Sequence, residues 1–244
     1  MNLAEFQLNA IAALKEAMEN DKQEIILKSP TGSGKTVILT HFMDEYCKSV
    51  PNIVFVWLTP GKGDLEEQSK AKMDKYIHNA QTKLLSDVMT SGFAENDCCF
   101  INWEKLTKRG NNALKEGERK NFLEHIETAR NNGFQFKIIV DESHQNDSVK
   151  ANEILEYFQT DKIIRTSATP KGFNKDAVTF IEVPESEVIA SGLIKKLLII
   201  NENFQKDEPI EQEEPMNEEA QNKEQNEMSN FDVLESEINF SIRT

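Results

Sequence analysis

Three short stretches are apolar at most positions rather than at every second one: NIVFVWLT (residues 52–59), CCFINW (98–103) and FKIIVD (136–141); a fourth, KIIRTSAT (162–169), follows. A strand wetted on one side alternates, whereas a strand covered on both sides does not. A fifth run, EIILKS (24–29), breaks at Pro30. Between the runs lie segments with helical spacing. Phe6, Ala10, Ala13, Leu14 and Ala17 share one helical face, and TVILTHFMDEYCKS (36–49) follows the same period. LEEQSKAKMDKYIH (65–78) reads as a polar helix, and the charged segment 106–133 reads as helical around residues 119–130. Strands alternating with helices predict a three-layer α/β domain with a mainly parallel sheet.

Charge divides the chain unequally. The net charge is −14 over 244 residues, and residues 201–244 hold −10 of it, with thirteen acidic and three basic residues. This tail is rich in Glu, Gln and Asn and too poor in apolar groups to offset the entropy of ordering. The expected organisation is one folded domain, residues 1–200, followed by a disordered acidic tail, residues 201–244. Only the last stretch, NFDVLESEINFSIRT (230–244), has the apolar residues to dock.

Three cysteines, two of them adjacent, make no disulfide framework and suit a reducing cytosol. The first residues form an acid-containing amphipathic pattern without the basic start and apolar core of a signal peptide. No run approaches the roughly 18 apolar residues of a membrane span. A cytoplasmic protein with no membrane partner is expected. His41, His78 and His125 have no Cys or His neighbour at ligand spacing, so no zinc site is expected.

The chemistry gathers where runs end. KSPTGSGKT (28–36) places a glycine turn between an apolar run and a helix. In that setting the backbone N–H groups of a phosphate-binding loop curl around an anion, and the helix N-terminus adds its positive pole. Thr31, Gly32, Ser33, Gly34, Lys35 and Thr36 are the candidate nucleotide-binding residues. Lys35 would reach the β- and γ-phosphates, and the Thr36 hydroxyl would ligate Mg²⁺. The usual pattern opens with a glycine where this chain has Ser29. KIIVDESH (137–144) ends a buried run in Asp141, a candidate metal carboxylate, and Glu142, a candidate base for the attacking water. TSATP (166–170) brings Ser167 and Thr169 to another strand end. Trp103 reads as a core aromatic, because one ring is no stacking platform.

Taken in order, a glutamine near the N-terminus, SPTGSGKT, LTPGKGDLEEQS, DESH and SATP resemble the first RecA-like domain of superfamily-two DEAD/DEAH-type helicases. VWLTPGKGDLEEQS, FINWEKL and EVIASGLIKKLLIINE look most like the Res subunit of type III restriction–modification enzymes. The resemblance implies ATP and Mg²⁺ as cofactors and double-stranded DNA as partner. It makes Gln7, beside Phe6, the adenine-reading glutamine. It makes His144 the last member of the carboxylate motif, and Ser167 and Thr169 the residues coupling nucleotide state to nucleic acid. It puts nucleic-acid contacts at Thr59, Pro60 and Gly61, and a second set from Asn102 to Lys105. TPGKG also suits phosphate oxygens by its own chemistry, with backbone N–H groups, a hydroxyl and Lys62.

Helicase action in this family needs a second RecA-like domain with an arginine finger, a group worth ~10³–10⁵ in rate. The expectation is that this chain lacks that domain and any nuclease domain. It would then be a motor domain weak in isolation, completed by a second RecA-like domain in trans or by a methyltransferase/specificity subunit. The alternative is a binding module that regulates a full-length complex, its acidic tail occupying a basic groove. A metabolic phosphoryl-transferring enzyme would have no use for DESH and SATP.

Overall fold

The computed structural model describes residues 2–60, 65–76, 78–107, 115–141 and 155–194. Strands β1 (Glu24–Lys28), β2 (Ile53–Thr59), β3 (Gln81–Leu84), β4 (Asp97–Asn102), β5 (Gln135–Val140), β6 (Lys162–Ser167) and β7 (Val178–Glu182) form one sheet in the order β3-β4-β2-β5-β6-β1-β7. Every pairing is parallel. The helices are α1 (Glu5–Glu19), α2 (Lys35–Ser49), α3 (Leu65–Met73), α4 (Leu85–Ser91), α5 (Trp103–Thr107), α6 (Glu116–Asn131) and α7 (Glu185–Ala190).

The continuous apolar runs are the central strands, and each supplies two cores. In β2, Ile53, Phe55 and Trp57 enter the core beneath α1 and α2, while Val54, Val56 and Leu58 enter the core beneath α4 and α6. The period-2 geometry of a strand requires this split. The adjacent cysteines obey it too: Cys98 lies in the first core and Cys99 in the second. They face opposite sides of β4 and do not pair, and burial pushes both thiols well up. Trp103 is 3% exposed, in the second core.

Two buried charges fasten the layers. Asp44 of α2 accepts the backbone N–H groups of His78, Asn79 and Ala80 at 3.0, 2.8 and 3.2 Å, and the Asn79 side-chain amide at 2.9 Å. Burial alone would raise its pKa, but these donors win and hold it below the usual carboxylate range. Lys162 of β6 donates to Ala17 O, Asn20 O and Lys22 O at 3.1, 2.5 and 2.7 Å, closing the C-terminus of α1.

The two edge strands carry no sequence signature of the kind seen at the centre. β3 (QTKL) and β7 (VTFIE) are short and partly wetted, without the apolar runs of the centre. α3 ends at Met73, well short of residue 78, because Asp44 captures the chain at residues 78–80. Among the described residues no helix is long and apolar enough to cross a membrane. The segment 201–244 lies outside the described residues.

Candidate functional site

β1, β6 and β5 end side by side, so their C-terminal residues are neighbours. Open α/β sheets bind ligands at these ends. Past Lys28 the chain turns through residues 29–34 into α2. Ser33 N donates to Pro30 O at 3.2 Å, and Gly34 opens the helix with φ +79°. A Cβ at Gly34 would stand 2.6 Å from Gln7 Nε2, and one at Gly32 (φ +83°) 2.5 Å from Ile194 Cγ2. Both backbones lie in the left-handed region that favours glycine, and a Cβ at either would also displace a neighbouring side chain.

Ser29, the departure from the usual glycine, has a structural task. Its hydroxyl lies 2.6 Å from that of Ser33, both buried, and forms a hydrogen bond within the loop. Its N–H donates to Ser167 O at 3.1 Å, joining the loop to the end of β6.

Lys35 Nζ lies 3.2 Å from Asp141 Oδ1, with each side chain 18% exposed. The same oxygen accepts from the Thr166 hydroxyl at 2.8 Å. Thr166 is fully buried. Unlike Ser167 and Thr169, Thr166 is not among the sequence-predicted site residues, because it looks like one more residue of a buried strand. Its one signal is a hydroxyl at the next-to-last position of β6, beside the strand that feeds the loop. Ser167 is buried and its Oγ accepts the Thr169 N–H at 3.1 Å; Thr169 itself is exposed. Thr36 is half-buried on the first turn of α2, and Thr31 and Gly32 are exposed.

Gln7 is 3% exposed and its amide is engaged at both ends. Oε1 accepts the Ala4 N–H at 3.0 Å, capping α1, and Nε2 donates to Ser33 O at 3.0 Å. The glutamine thus grips the backbone of the turn at residues 29–34. Beside it Ala4, Glu5, Phe6 and Asn9 of the α1 region face Glu187, Ala190 and Ser191 across a hollow of 560 Å³.

The expected nucleic-acid contacts stand apart, on β2 and β4. Thr59 is fully buried, and its hydroxyl has no hydrogen-bond partner among the described residues. Asn102 is 8% exposed and its Oδ1 accepts the Glu104 N–H at 2.9 Å. Any contact from these two positions would run through main chain or need rearrangement. Pro60 follows Thr59 directly. Glu142, His144, Gly61 and Lys62 lie outside the described residues.

A family model for the type III restriction enzyme, res subunit, matches residues 1–172. The chain belongs to this family. Among solved structures, the Res-type domain is similar to a nuclease-deletion mutant of the Type ISP restriction-modification enzyme LlaGI in complex with a DNA substrate mimic. That match has TM-score 0.53 and 14% identity, and covers 79% of this chain and 21% of that one. It is also similar to the UvsW helicase from Bacteriophage T4, with TM-score 0.51 and 14% identity, over 75% of this chain and 60% of that one. At such identity the likeness speaks to the fold alone, a RecA-like parallel α/β sheet. The Res-type chain thus spans less than two thirds of either structure. A search of curated proteins finds no match.

Proposed function

We propose that this Res-type domain binds ATP with Mg²⁺ at residues 29–36 and Asp141, and hydrolyses it slowly unless a further domain completes the site. The observation that carries the reading is the 3.2 Å approach of Lys35 to Asp141. An ammonium and a carboxylate held together at the mouth of a glycine cradle suit a triphosphate and its metal. Lys35 would hold phosphate oxygens. The Thr36 hydroxyl and Asp141 would hold Mg²⁺, which neutralises charge on the transferring phosphoryl group. Among the described residues no cluster of three or more His, Cys, Asp or Glu could hold a metal. Mg²⁺ needs no such cluster, since one or two protein oxygens, water and phosphate suffice. Glu142 would position the attacking water, Ser167 and Thr169 would relay nucleotide state, and the base would lie in the hollow beside Phe6 and Gln7.

Double-stranded DNA is the proposed partner, on the strength of the family and of a DNA-bound structure of similar fold. Residues 1–200 carry −4 of the net −14. No strong positive field steers DNA, so contact would rest on local groups near Thr59, Pro60, Gly61 and Asn102. A second RecA-like domain in trans or a methyltransferase/specificity subunit would complete the machine, in the cytoplasm.

Calorimetry with ATP and Mg²⁺ tests the reading. The wild type binds and Lys35→Ala does not; equal affinity would refute it. Steady-state assays should show weak turnover, lost in Glu142→Gln. Brisk DNA-stimulated hydrolysis by the isolated chain would overturn the need for a further domain.

A further inference from the structure

A glutamine reads adenine with both ends of its amide, Oε1 accepting from the N6 amino group and Nε2 donating to N7. In this chain both ends of Gln7 are already spent on the protein. Oε1 takes the Ala4 N–H at 3.0 Å, and Nε2 donates to Ser33 O at 3.0 Å. Nε2 is also pressed against the turn, 2.6 Å from where a Cβ of residue 34 would stand. Gln7 is 3% exposed, so a base beside it meets little of the amide. The rest of the hollow between α1 and the end of α7 does not replace it. Phe6 is buried, Ala4 and Ala190 offer apolar surface, and Ser191 Oγ donates to Val188 O at 2.7 Å. Glu5, Asn9 and Glu187 are exposed, and among the described residues no hydrogen bond anchors their side chains.

We infer that the nucleotide site is permissive for the base: it takes ATP and GTP alike, and Gln7 serves as a positioning residue for the turn at residues 29–34. The inference rests on the nucleotide site proposed above. Adenine and guanine differ along their polar edges, whereas stacking on an apolar wall is indifferent to that difference. An unanchored asparagine turns to suit either purine, accepting from the amino group of one or donating to the O6 of the other. A site that reads a polar edge with buried groups rejects the wrong partner by ~10⁴–10⁵, because its own groups are left unpaired. An exposed hydrogen bond is worth at most about tenfold. Gln7 acts on the phosphates instead of the base. A carbonyl turned towards a phosphate repels it, and Nε2 holds the Ser33 carbonyl towards α1. Selectivity then comes from the triphosphate, which Lys35 and Thr36 would hold whatever the base.

Calorimetry of the full chain with Mg²⁺ and, in turn, ATP, GTP and inorganic tripolyphosphate is the test. The expected result is GTP binding within about tenfold of ATP. Gln7→Ala, shown to be folded by circular dichroism, should weaken ATP, GTP and tripolyphosphate by one common factor, about fivefold or more. A loss independent of the base marks a positioning role, since a reader of adenine would lose ATP alone. GTP weaker than ATP by more than about tenfold overturns the inference and leaves the nucleotide site standing. A Gln7→Ala loss confined to ATP, or no loss with any of the three, does the same. Binding of neither nucleotide nor tripolyphosphate refutes the site itself, and the inference with it. Should Gln7→Ala misfold, the wild-type ratio of GTP to ATP affinity decides alone.

Discussion

At the site, a single oxygen does double duty. Asp141 Oδ1 receives both Lys35 and the Thr166 hydroxyl, so the carboxylate is aimed by a neighbouring strand before any ligand arrives. Partners that orient a metal ligand are commonly worth 10–100-fold in affinity or activity. Thr166→Val keeps the shape and removes the donor. It should raise the Mg²⁺ concentration for half-maximal nucleotide binding by roughly tenfold or more. A fluorescent-nucleotide titration over Mg²⁺ measures this; an unchanged midpoint would leave the hydroxyl a packing group. Ser29 makes the complementary case. Ser29→Ala strands the buried Ser33 hydroxyl and should cost ~1–3 kcal/mol by urea unfolding. Ser29→Ala as stable as wild type would show that the loop does not use this bond.

Among the elements, α2 does more than follow the loop. Its Asp44 gathers three backbone N–H groups ahead of β3, and so sets where α3 stops and the edge strand begins. Asp44→Asn keeps one acceptor but turns the other toward the Asn79 amide as a donor. A loss of ~1–3 kcal/mol at neutral pH is expected. The folded pKa is lowered, so the carboxylate's contribution is complete above the unfolded value of about 3.9. It disappears as pH falls through the folded value. Wild type and Asp44→Asn should therefore converge in stability as pH drops below about 4, and differ by a constant amount above about 5. Urea unfolding across that range decides the point: a gap that stays constant into acid would place the effect in packing instead of charge.

For the whole molecule, one sheet serves two cores. Because Ile53, Phe55 and Trp57 feed one core and Val54, Val56 and Leu58 the other, neither core can melt without pulling apart the strand they share. Unfolding of the folded domain should be a single transition. The two tryptophans report on opposite faces, Trp57 in the first core and Trp103 in the second. Trp103→Phe and Trp57→Phe each leave one reporter. Within each variant the fluorescence and far-ultraviolet dichroism midpoints should coincide. A fluorescence midpoint clearly below the dichroism midpoint in either variant would mean the cores separate.

Much of this was legible in the chain itself. Strands buried on both faces are largely apolar, so NIVFVWLT, CCFINW and FKIIVD declared a covered parallel sheet. The glycines of SPTGSGKT announced a tight left-handed turn ahead of α2, because few other residues tolerate that backbone. Edge strands β3 and β7 stayed hidden, since solvent on one side removes the apolar signature. Partnerships stayed hidden as well. That Gln7 grips the loop backbone and that Thr166 aims Asp141 are contacts between residues far apart in sequence. Local patterning encodes burial and backbone conformation, because those depend on each residue's own chemistry. Which polar atoms meet depends on how strands are ordered and how helices cross them, and only the assembled sheet sets that.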